Sequence, residues 1–348
     1  MKSILFVFTL LFSGMALRAA ASAPPAMANH PIAIVMHGGA GTILRKDMTP
    51  QMEARYRASL KTALQTGYAV LKKGGTSLDA VQAAIQVLED SPLFNAGKGA
   101  VFTHDGKNQM DAAIMDGKSM RAGAVADVQH IRNPIALARL VMEKTPHVLL
   151  VADGAEKFAQ SQGMQLMPAG YFYTKPRWQE LQRALQAEKR GRKSLALEEN
   201  YPGTTAQGFG TVGAVAVDRY GNIAAGTSTG GLTNKLDGRV GDSPIPGDGT
   251  YANNLTCGAS GTGTGEYYME LNLTKDVSDL MEYRGWSLKR AVDYEIHDKL
   301  VKFGGENSGG LIALDRQGEI VTAFNTAGMY RGYIDTHGNL VVKIFRDE

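Results

Sequence analysis

At residues 208–218 the chain reads GFGTVGAVAVD, so a glycine-rich lead ends in an almost wholly apolar run. A short apolar run rich in valine predicts a buried β-strand that begins at Thr211. Residues 219–222 read RYGN, which is typical of a turn, and residues 223–227 predict the returning strand. The pattern therefore predicts a buried β-hairpin whose first residue is a threonine.

The segments on either side of this hairpin alternate between strands and helices. Thr49 followed by Pro50 predicts a helix start, and Thr76 with Asp79 predicts another. Further helices are expected over residues 134–143, 266–281 and 287–301, and further strands over 31–36, 108–115, 122–128, 147–152, 310–314 and 319–324. Because hairpins and helices come in blocks, we expect an α/β fold with a mixed sheet pair covered by helices, not a parallel sheet.

Two segments differ in composition from the rest. Residues 1–28 carry a basic start, a short apolar run and small residues, which is the plan of a secretory signal peptide. We therefore expect an exported protein, with the periplasm as its location, and no membrane association once the signal is removed. Residues 161–210 are poor in large aliphatic side chains and predict a mobile linker.

Composition excludes several classes of protein. The 348 residues carry a formal charge of +3, of which Lys2 and Arg18 lie in the predicted signal peptide. A nearly neutral chain is not expected to bind nucleic acid through its phosphates. The single cysteine, Cys257, excludes an intramolecular disulfide and cysteine-based zinc sites, and the seven histidines show no paired metal-binding spacing.

The junction between Gly210 and Thr211 has the features of a self-cleaving bond. A glycine allows strained backbone geometry, and the hydroxyl of Thr211 could attack the carbonyl before it. The released α-amine, whose pKa in an unstructured chain is ~7.7–8.0, could then serve as the base for its own hydroxyl. Two other interpretations stay open here: an ordinary loop-to-strand junction, and a serine nucleophile at Ser228 in the G-x-S-x-G pattern of residues 226–230.

Longer motifs give the chain a family resemblance. They read HGGAGT (37–42), PLFNAGKG (92–99), TVGAVAVD (211–218), GTSTGG (226–231), TNK (233–235), GRVGDSP (238–244), YANN (251–254) and GTGTGE (261–266). In these motifs the chain resembles the plant-type L-asparaginase and isoaspartyl peptidase family of N-terminal-threonine hydrolases. The resemblance implies a four-layer αββα sandwich of the N-terminal-nucleophile hydrolase type. One domain would be built from two chains after self-cleavage, an α subunit (29–210) and a β subunit (211–348).

The resemblance also assigns roles to single residues. It implies a catalytic set of Thr211, Thr229, Thr262, Gly263 and Asn95, with autocleavage between Gly210 and Thr211. It implies a substrate-binding set of Arg239, Asp242, Thr262, Gly263 and Gly265, in which Arg239 binds the α-carboxylate and Asp242 the α-ammonium. No cofactor is expected for catalysis. A structural sodium ion is implied on the backbone carbonyls of Leu88, Glu89, Ser91, Phe94, Ala96 and Lys98.

The implied activity is hydrolysis of β-aspartyl (isoaspartyl) peptides and of L-asparagine, with release of L-aspartate. The substrate is then a small molecule or dipeptide, and a dimer of αβ heterodimers is implied. Two alternatives stay open: a glycosylasparaginase-like amidase on the same scaffold, and a periplasmic amino-acid-binding protein without turnover. The sequence does not rank asparagine against isoaspartyl dipeptides.

Overall fold

The structure is a computed structural model that describes residues 30–190 and 210–348. In these ranges the strands are β1 (Ala33–Gly41), β2 (Met110–Asp116), β3 (Ala122–Val128), β4 (Leu149–Val151), β5 (Val212–Val217), β6 (Ile223–Thr229), β7 (Thr250–Ala252), β8 (Cys257–Gly263), β9 (Gly309–Asp315), β10 (Ile320–Phe324), β11 (Gly328–Ile334) and β12 (Leu340–Phe345). The α-helices are α1 (Pro50–Lys72), α2 (Ser77–Glu89), α3 (Pro134–Lys144), α4 (Ala152–Ser161), α5 (Lys175–Lys189), α6 (Gly265–Leu271), α7 (Leu273–Arg284), α8 (Leu288–Asp293) and α9 (Leu300–Gly304). The predicted signal peptide lies outside the described residues.

The strands form two sheets. One has eight strands in the order β12-β11-β1-β5-β6-β2-β3-β4, and the other has four in the order β10-β9-β8-β7. Every pairing is antiparallel except β3 with β4, which is parallel. The predicted hairpin of β5 and β6 lies in the middle of the larger sheet, where both strands are completely buried.

Three apolar clusters show what each sheet face contacts. The first lies between the eight-stranded sheet and α1, α2 and α3, and it includes Leu64, Ile85 and Val141. The second packs α6 to α9 against the four-stranded sheet. The third, with Val215 and Ile312, contains residues of both sheets. Apolar burial of this kind is the main source of stability in a domain of this size.

Local signals at the helix starts are confirmed. The hydroxyl of Thr49 accepts a hydrogen bond from the backbone N–H of Met52, and Pro50 is the first residue of α1. Thr76 and Asp79 form the reciprocal capping box that starts α2. An N-cap of this type stabilises a helix by about 1 kcal/mol.

Some element boundaries differ from the sequence expectation. β1 continues through the HGGAG motif as far as Gly41, past a register shift between His37 and Gly39. The single helix expected over residues 266–281 is divided at Asn272, whose φ of 49° lies in the left-handed region. Asparagine tolerates that region better than most residues do, so it can end one helix and begin the next.

The expectation of a mobile linker is wrong for residues 161–190. This segment contains α5, and Phe172, Leu181 and Ala184 within it are buried. The sequence is polar overall because only one face of α5 packs against the protein. The rest of the expected linker, residues 191–209, lies outside the described residues. Within the described ranges, no helix combines the length and the apolar character needed to cross a membrane.

Candidate active site

Thr211 lies one residue before β5, at the end of a strand in the middle of the larger sheet. Its hydroxyl donates a hydrogen bond to the hydroxyl of Thr229, the last residue of β6, at 3.1 Å. The hydroxyl of Thr229 also accepts a hydrogen bond from the N–H of Gly231 at 3.0 Å. Both threonines are buried. The structure thus brings together the two hydroxyls that the resemblance placed side by side.

Asn95 connects this pair to the bond before Thr211. Its backbone N–H donates to the carbonyl oxygen of Gly210 at 3.2 Å, and its own carbonyl accepts from Gly230. Its side-chain amide donates to the carbonyl of Gly231 at 2.7 Å and accepts from Val101. Asn95 therefore connects the carbonyl oxygen of the candidate cleavage bond to the turn after Thr229.

A histidine to which the motifs gave no role also touches Thr211. The Nδ1 atom of His37 lies 2.9 Å from the carbonyl oxygen of Thr211, and Nε2 lies 3.0 Å from the hydroxyl of Ser260. The ring is completely buried, and this burial lowers the pKa of His37 to about 3. With both nitrogens engaged and the ring neutral, His37 does not serve as a proton acceptor for Thr211.

The predicted amino-acid-binding residues lie together beside Gly265. A side chain on Gly265 would come within 2.9 Å of both the Arg239 guanidinium and the Asp242 carboxylate, so the glycine leaves room for both. In the structure the guanidinium of Arg239 binds Glu266. Its Nε and Nη2 atoms donate to the two carboxylate oxygens of Glu266 at 2.9 and 2.8 Å. Glu266 was quoted in the sequence only as the end of a motif.

Asp242 is buried and incompletely satisfied. Its Oδ2 atom has no hydrogen-bond partner among the described residues. Burial raises the pKa of Asp242 to about 7, and the nearby charge of Arg239 opposes the rise. A buried carboxylate oxygen without a donor is costly. A ligand ammonium group would supply the missing donor.

The remaining predicted residues lie on β8 and at the start of α6. The hydroxyl of Thr262 accepts a hydrogen bond from the N–H of Ala40 at 3.2 Å. Gly263 packs so closely that a side chain there would come 2.3 Å from the carbonyl oxygen of Ser308. Gly265 is the first residue of α6. Thr262 and Gly263 belong to the second sheet, and the bond from Ala40 on β1 to Thr262 places them where the two sheets meet.

The alternative of a serine nucleophile does not fit the structure. Ser228 lies inside β6 rather than at a turn between a strand and a helix, and it is completely buried. Its hydroxyl donates to the carboxylate of Glu89 at 2.7 Å. The same carboxylate accepts the N–H of Ile135, and burial raises the pKa of Glu89 to about 8. Ser228 is therefore a structural partner of Glu89.

The loop proposed for a sodium ion is coiled tightly around its own carbonyls. Gly97 has a φ of 51°, and a side chain there would come 2.3 Å from the carbonyl oxygen of Glu89. A side chain on Gly99 would come 2.0 Å from that of Phe94. No cluster of three metal-ligating side chains exists in residues 30–190 and 210–348.

A buried threonine hydroxyl at a potential cleavage point, in a chain that also holds an arginine–acid pair suited to an amino acid, is characteristic of a threonine-dependent hydrolase. The comparison with known families agrees with this class. A family model described as asparaginase matches residues 30–344, and the chain belongs to this family.

Named relatives cover most of the chain. An isoaspartyl peptidase from Escherichia coli (strain K12) is 48% identical over 300 residues, which cover 86% of this chain and 92% of that protein. An isoaspartyl peptidase/L-asparaginase from Xenopus laevis is 44% identical, covering 85% of this chain and 90% of that protein. A plant-type L-asparaginase from Pyrococcus furiosus is 45% identical, covering 86% of this chain and 94% of that protein.

Proposed function

We propose that this protein is an autoprocessed threonine amidohydrolase that hydrolyses β-aspartyl peptides and L-asparagine to release L-aspartate. The observation that carries the proposal is the hydrogen bond from Thr211 to Thr229, next to a Gly210 carbonyl held by Asn95. Membership in the asparaginase family and the names of the relatives support the substrate class.

Self-cleavage would begin with attack of the Thr211 hydroxyl oxygen on the Gly210 carbonyl carbon. A C–O bond forms, the C–N bond breaks, and the Thr211 nitrogen takes up a proton to become an amine. The N–H of Asn95 points at the oxygen on which negative charge develops. Water then hydrolyses the ester, which frees the Gly210 carboxyl group and restores the hydroxyl. This step would divide the protein into residues 29–210 and 211–348.

In the mature enzyme the freed amine of Thr211 would accept the proton of its own hydroxyl. The oxygen attacks the side-chain carbonyl of the substrate, and Thr262 and Gly263 would stabilise the resulting oxyanion. The amine then returns the proton to the leaving nitrogen, which departs as ammonia or as the amine of a peptide. Hydrolysis of the ester by water releases L-aspartate.

The substrate's amino-acid head would bind between Arg239 and Asp242. Glu266 uses the Nε and Nη2 side of the guanidinium, so the α-carboxylate would bind the Nη1–Nη2 edge. The unpartnered Oδ2 of Asp242 would accept the α-ammonium. A head site that offers both a guanidinium and a free carboxylate oxygen selects zwitterionic amino acids over simple amides.

The proposal includes the remaining structural expectations. The two sheets with helices on their outer faces support a four-layer sandwich of the N-terminal-nucleophile hydrolase type. The coiled loop from Leu88 supports a structural sodium ion. Export to the periplasm and assembly as a dimer of αβ units are part of the same proposal. N-terminal sequencing of the secreted protein and light scattering would test them.

Incubation of the purified protein with its substrates tests the central claim. We expect two bands on a denaturing gel and release of aspartate from isoaspartyl dipeptides and L-asparagine. Thr211→Ala should stay a single inactive chain, whereas Thr322→Ala on β10 should cleave and react normally. A single band with amino-acid binding but no turnover would instead indicate a binding protein. Preference for glycosylasparagine would indicate the glycosylasparaginase-like alternative.

A further inference from the structure

The carbonyl of Thr211 is held by a histidine ring. Thr211 precedes β5, and the Nδ1 atom of His37 lies 2.9 Å from its carbonyl oxygen. A carbonyl only accepts hydrogen bonds, so Nδ1 must carry the proton. In a neutral ring Nε2 is then an acceptor. The hydroxyl of Ser260, 3.0 Å away, must therefore donate to Nε2.

Two buried threonines extend this connection. The hydroxyl of Ser260 lies 2.7 Å from that of Thr227, and Thr250 in turn donates to Thr227. Ser260 has used its one proton on His37, so it accepts a hydrogen bond from Thr227, whose single proton is shared between Ser260 at 2.7 Å and the carbonyl of Gly249 at 2.9 Å. The bonds thus point one way, from Thr250 through Thr227, Ser260 and His37 to Thr211. Hydrogen bonds aligned in this way strengthen one another.

This hydroxyl chain joins the two sheets at the active site. His37 is on β1 and Ser260 on β8, two residues before Thr262. Residues two apart on a strand face the same side, so Ser260 and Thr262 share a face of β8. Gly213 makes the crossing possible, because a side chain there would come 2.0 Å from the Ser260 hydroxyl and 2.4 Å from Nε2 of His37.

We propose that His37, Ser260 and Thr227 are positioning residues that fix Thr211 relative to the oxyanion-binding end of β8. The inference rests on the function proposed above. After cleavage Thr211 is a chain terminus without its bond to Gly210, and chain termini fray unless they are tied down. The hydroxyl chain keeps the terminal carbonyl, and with it the hydroxyl and amine of Thr211, in place. An error of about 1 Å in such geometry can cost about 100-fold in rate.

Ser260→Ala tests this role. Without the serine hydroxyl, Nε2 loses its donor, so the His37 ring is held only through Nδ1 and no longer fixes the Thr211 carbonyl relative to β8. We expect kcat of the mature enzyme to fall by about 10-fold or more. KM should change by less than about twofold, because Arg239 and Asp242 are untouched.

Ser278→Ala is the matched control. Ser278 is as completely buried, and its hydroxyl pairs with Thr256 at 2.6 Å, but neither residue contacts the hydroxyl chain. Both variants remove one completely buried, hydrogen-bonded serine hydroxyl, so the melting temperature should fall in both, while only Ser260→Ala loses kcat. Equal loss of kcat in both variants, or a change in KM as large as that in kcat, would refute positioning.

Thr227 provides a second test that does not depend on Ser260→Ala. Thr227→Ser keeps the hydroxyl and should keep kcat, whereas Thr227→Val removes it and should lower kcat. Nitrogen-15 NMR of His37 should show the Nδ1–H tautomer in all forms, and the Nε2 signal should move toward that of a nitrogen without a hydrogen-bond donor in Ser260→Ala and, by less, in Thr227→Val, but not in Thr227→Ser. An unchanged Nε2 signal and an unchanged kcat in Ser260→Ala and Thr227→Val would overturn the inference. An unaltered protein that releases no aspartate would instead overturn the proposed function.

Discussion

Arg239→Lys probes the substrate-binding geometry most directly. In the structure two donors of the guanidinium are used on Glu266, at 2.9 and 2.8 Å, while the fork stays beside Asp242. A lysine keeps the positive charge but offers a single nitrogen, which cannot satisfy Glu266 and a substrate carboxylate with the same geometry. The expected loss is therefore at least one charged hydrogen bond to the substrate.

The free energy of one charged hydrogen bond sets the expected size of this loss. A hydrogen bond to a charged group contributes about 1.5–3 kcal/mol, and each 1.36 kcal/mol is a factor of ten. We therefore expect kcat/KM to fall about 10- to 150-fold for both L-asparagine and an isoaspartyl dipeptide. Self-cleavage should proceed normally, because the guanidinium of Arg239 hydrogen-bonds to Glu266 and not to Gly210 or Thr211.

Arg139→Lys is a suitable control for this variant. The Arg139 side chain is 20% exposed, against 16% for Arg239, and it also bridges two carboxylates, those of Asp79 and Glu143. Steady-state kinetics of both variants on both substrates, with a gel for cleavage, complete the experiment. If Arg239→Lys keeps kcat/KM within about twofold of the unaltered enzyme, Arg239 serves only as the partner of Glu266 and the proposed carboxylate site is wrong.

Three further predictions concern titration and ions. Burial raises the pKa of Asp242 to about 7, and only the ionised form attracts an ammonium, so kcat/KM should fall as the pH drops below about 7. Protonation of the Thr211 amine adds its own decline, so the slope below both pKa values should be about 100-fold per unit in the unaltered enzyme and about tenfold per unit in Asp242→Asn; an equal slope in both would exclude Asp242 from the pH dependence. The base should be the Thr211 amine, with an unperturbed pKa of ~7.7–8.0. Acetylating that amine in the mature enzyme should abolish turnover while His37→Gln retains some, and the reverse result would refute the mechanism. Replacing sodium by choline at constant ionic strength should lower Tm if the loop from Leu88 binds the ion; an equal Tm in both salts would count against it.

Local chemistry was the best guide to the fold. The caps at Thr49 and Thr76 and the apolar run after Thr211 are confirmed because they depend on a few adjacent residues. β8 was not predicted as a strand, because its sequence, CGASGTG, has little β-branched or aromatic character. Its small residues are needed where two sheets approach closely. The sequence allows a short polar helix in the α5 region, but it predicts a linker there because the apolar side of α5 is narrow.

The site could be predicted only in part, for a similar reason. Thr229 and Asn95 were found through their motifs, and the structure brings both to Thr211. The contacts of Glu266 with Arg239 and of His37 with Thr211 join residues 27 and 174 positions apart. No local spacing signals such contacts. The His37 contact arises because β1 and β5 are neighbours in the larger sheet, and the Arg239 contact because its loop packs against the start of α6, and only the tertiary structure reveals either.

The order of strands in the larger sheet determines how the two halves of the protein would hold together. A cut after Gly210 would assign β1 to one half, yet its neighbours on both sides, β5 and β11, belong to the other. The halves also pair where β6, which follows the cut, lies against β2, which precedes it. Strands of the two halves would alternate in the larger sheet, so the halves could not dissociate without breaking its hydrogen bonds. Folding must then come before cutting, and we expect that the halves produced from separate genes would assemble poorly.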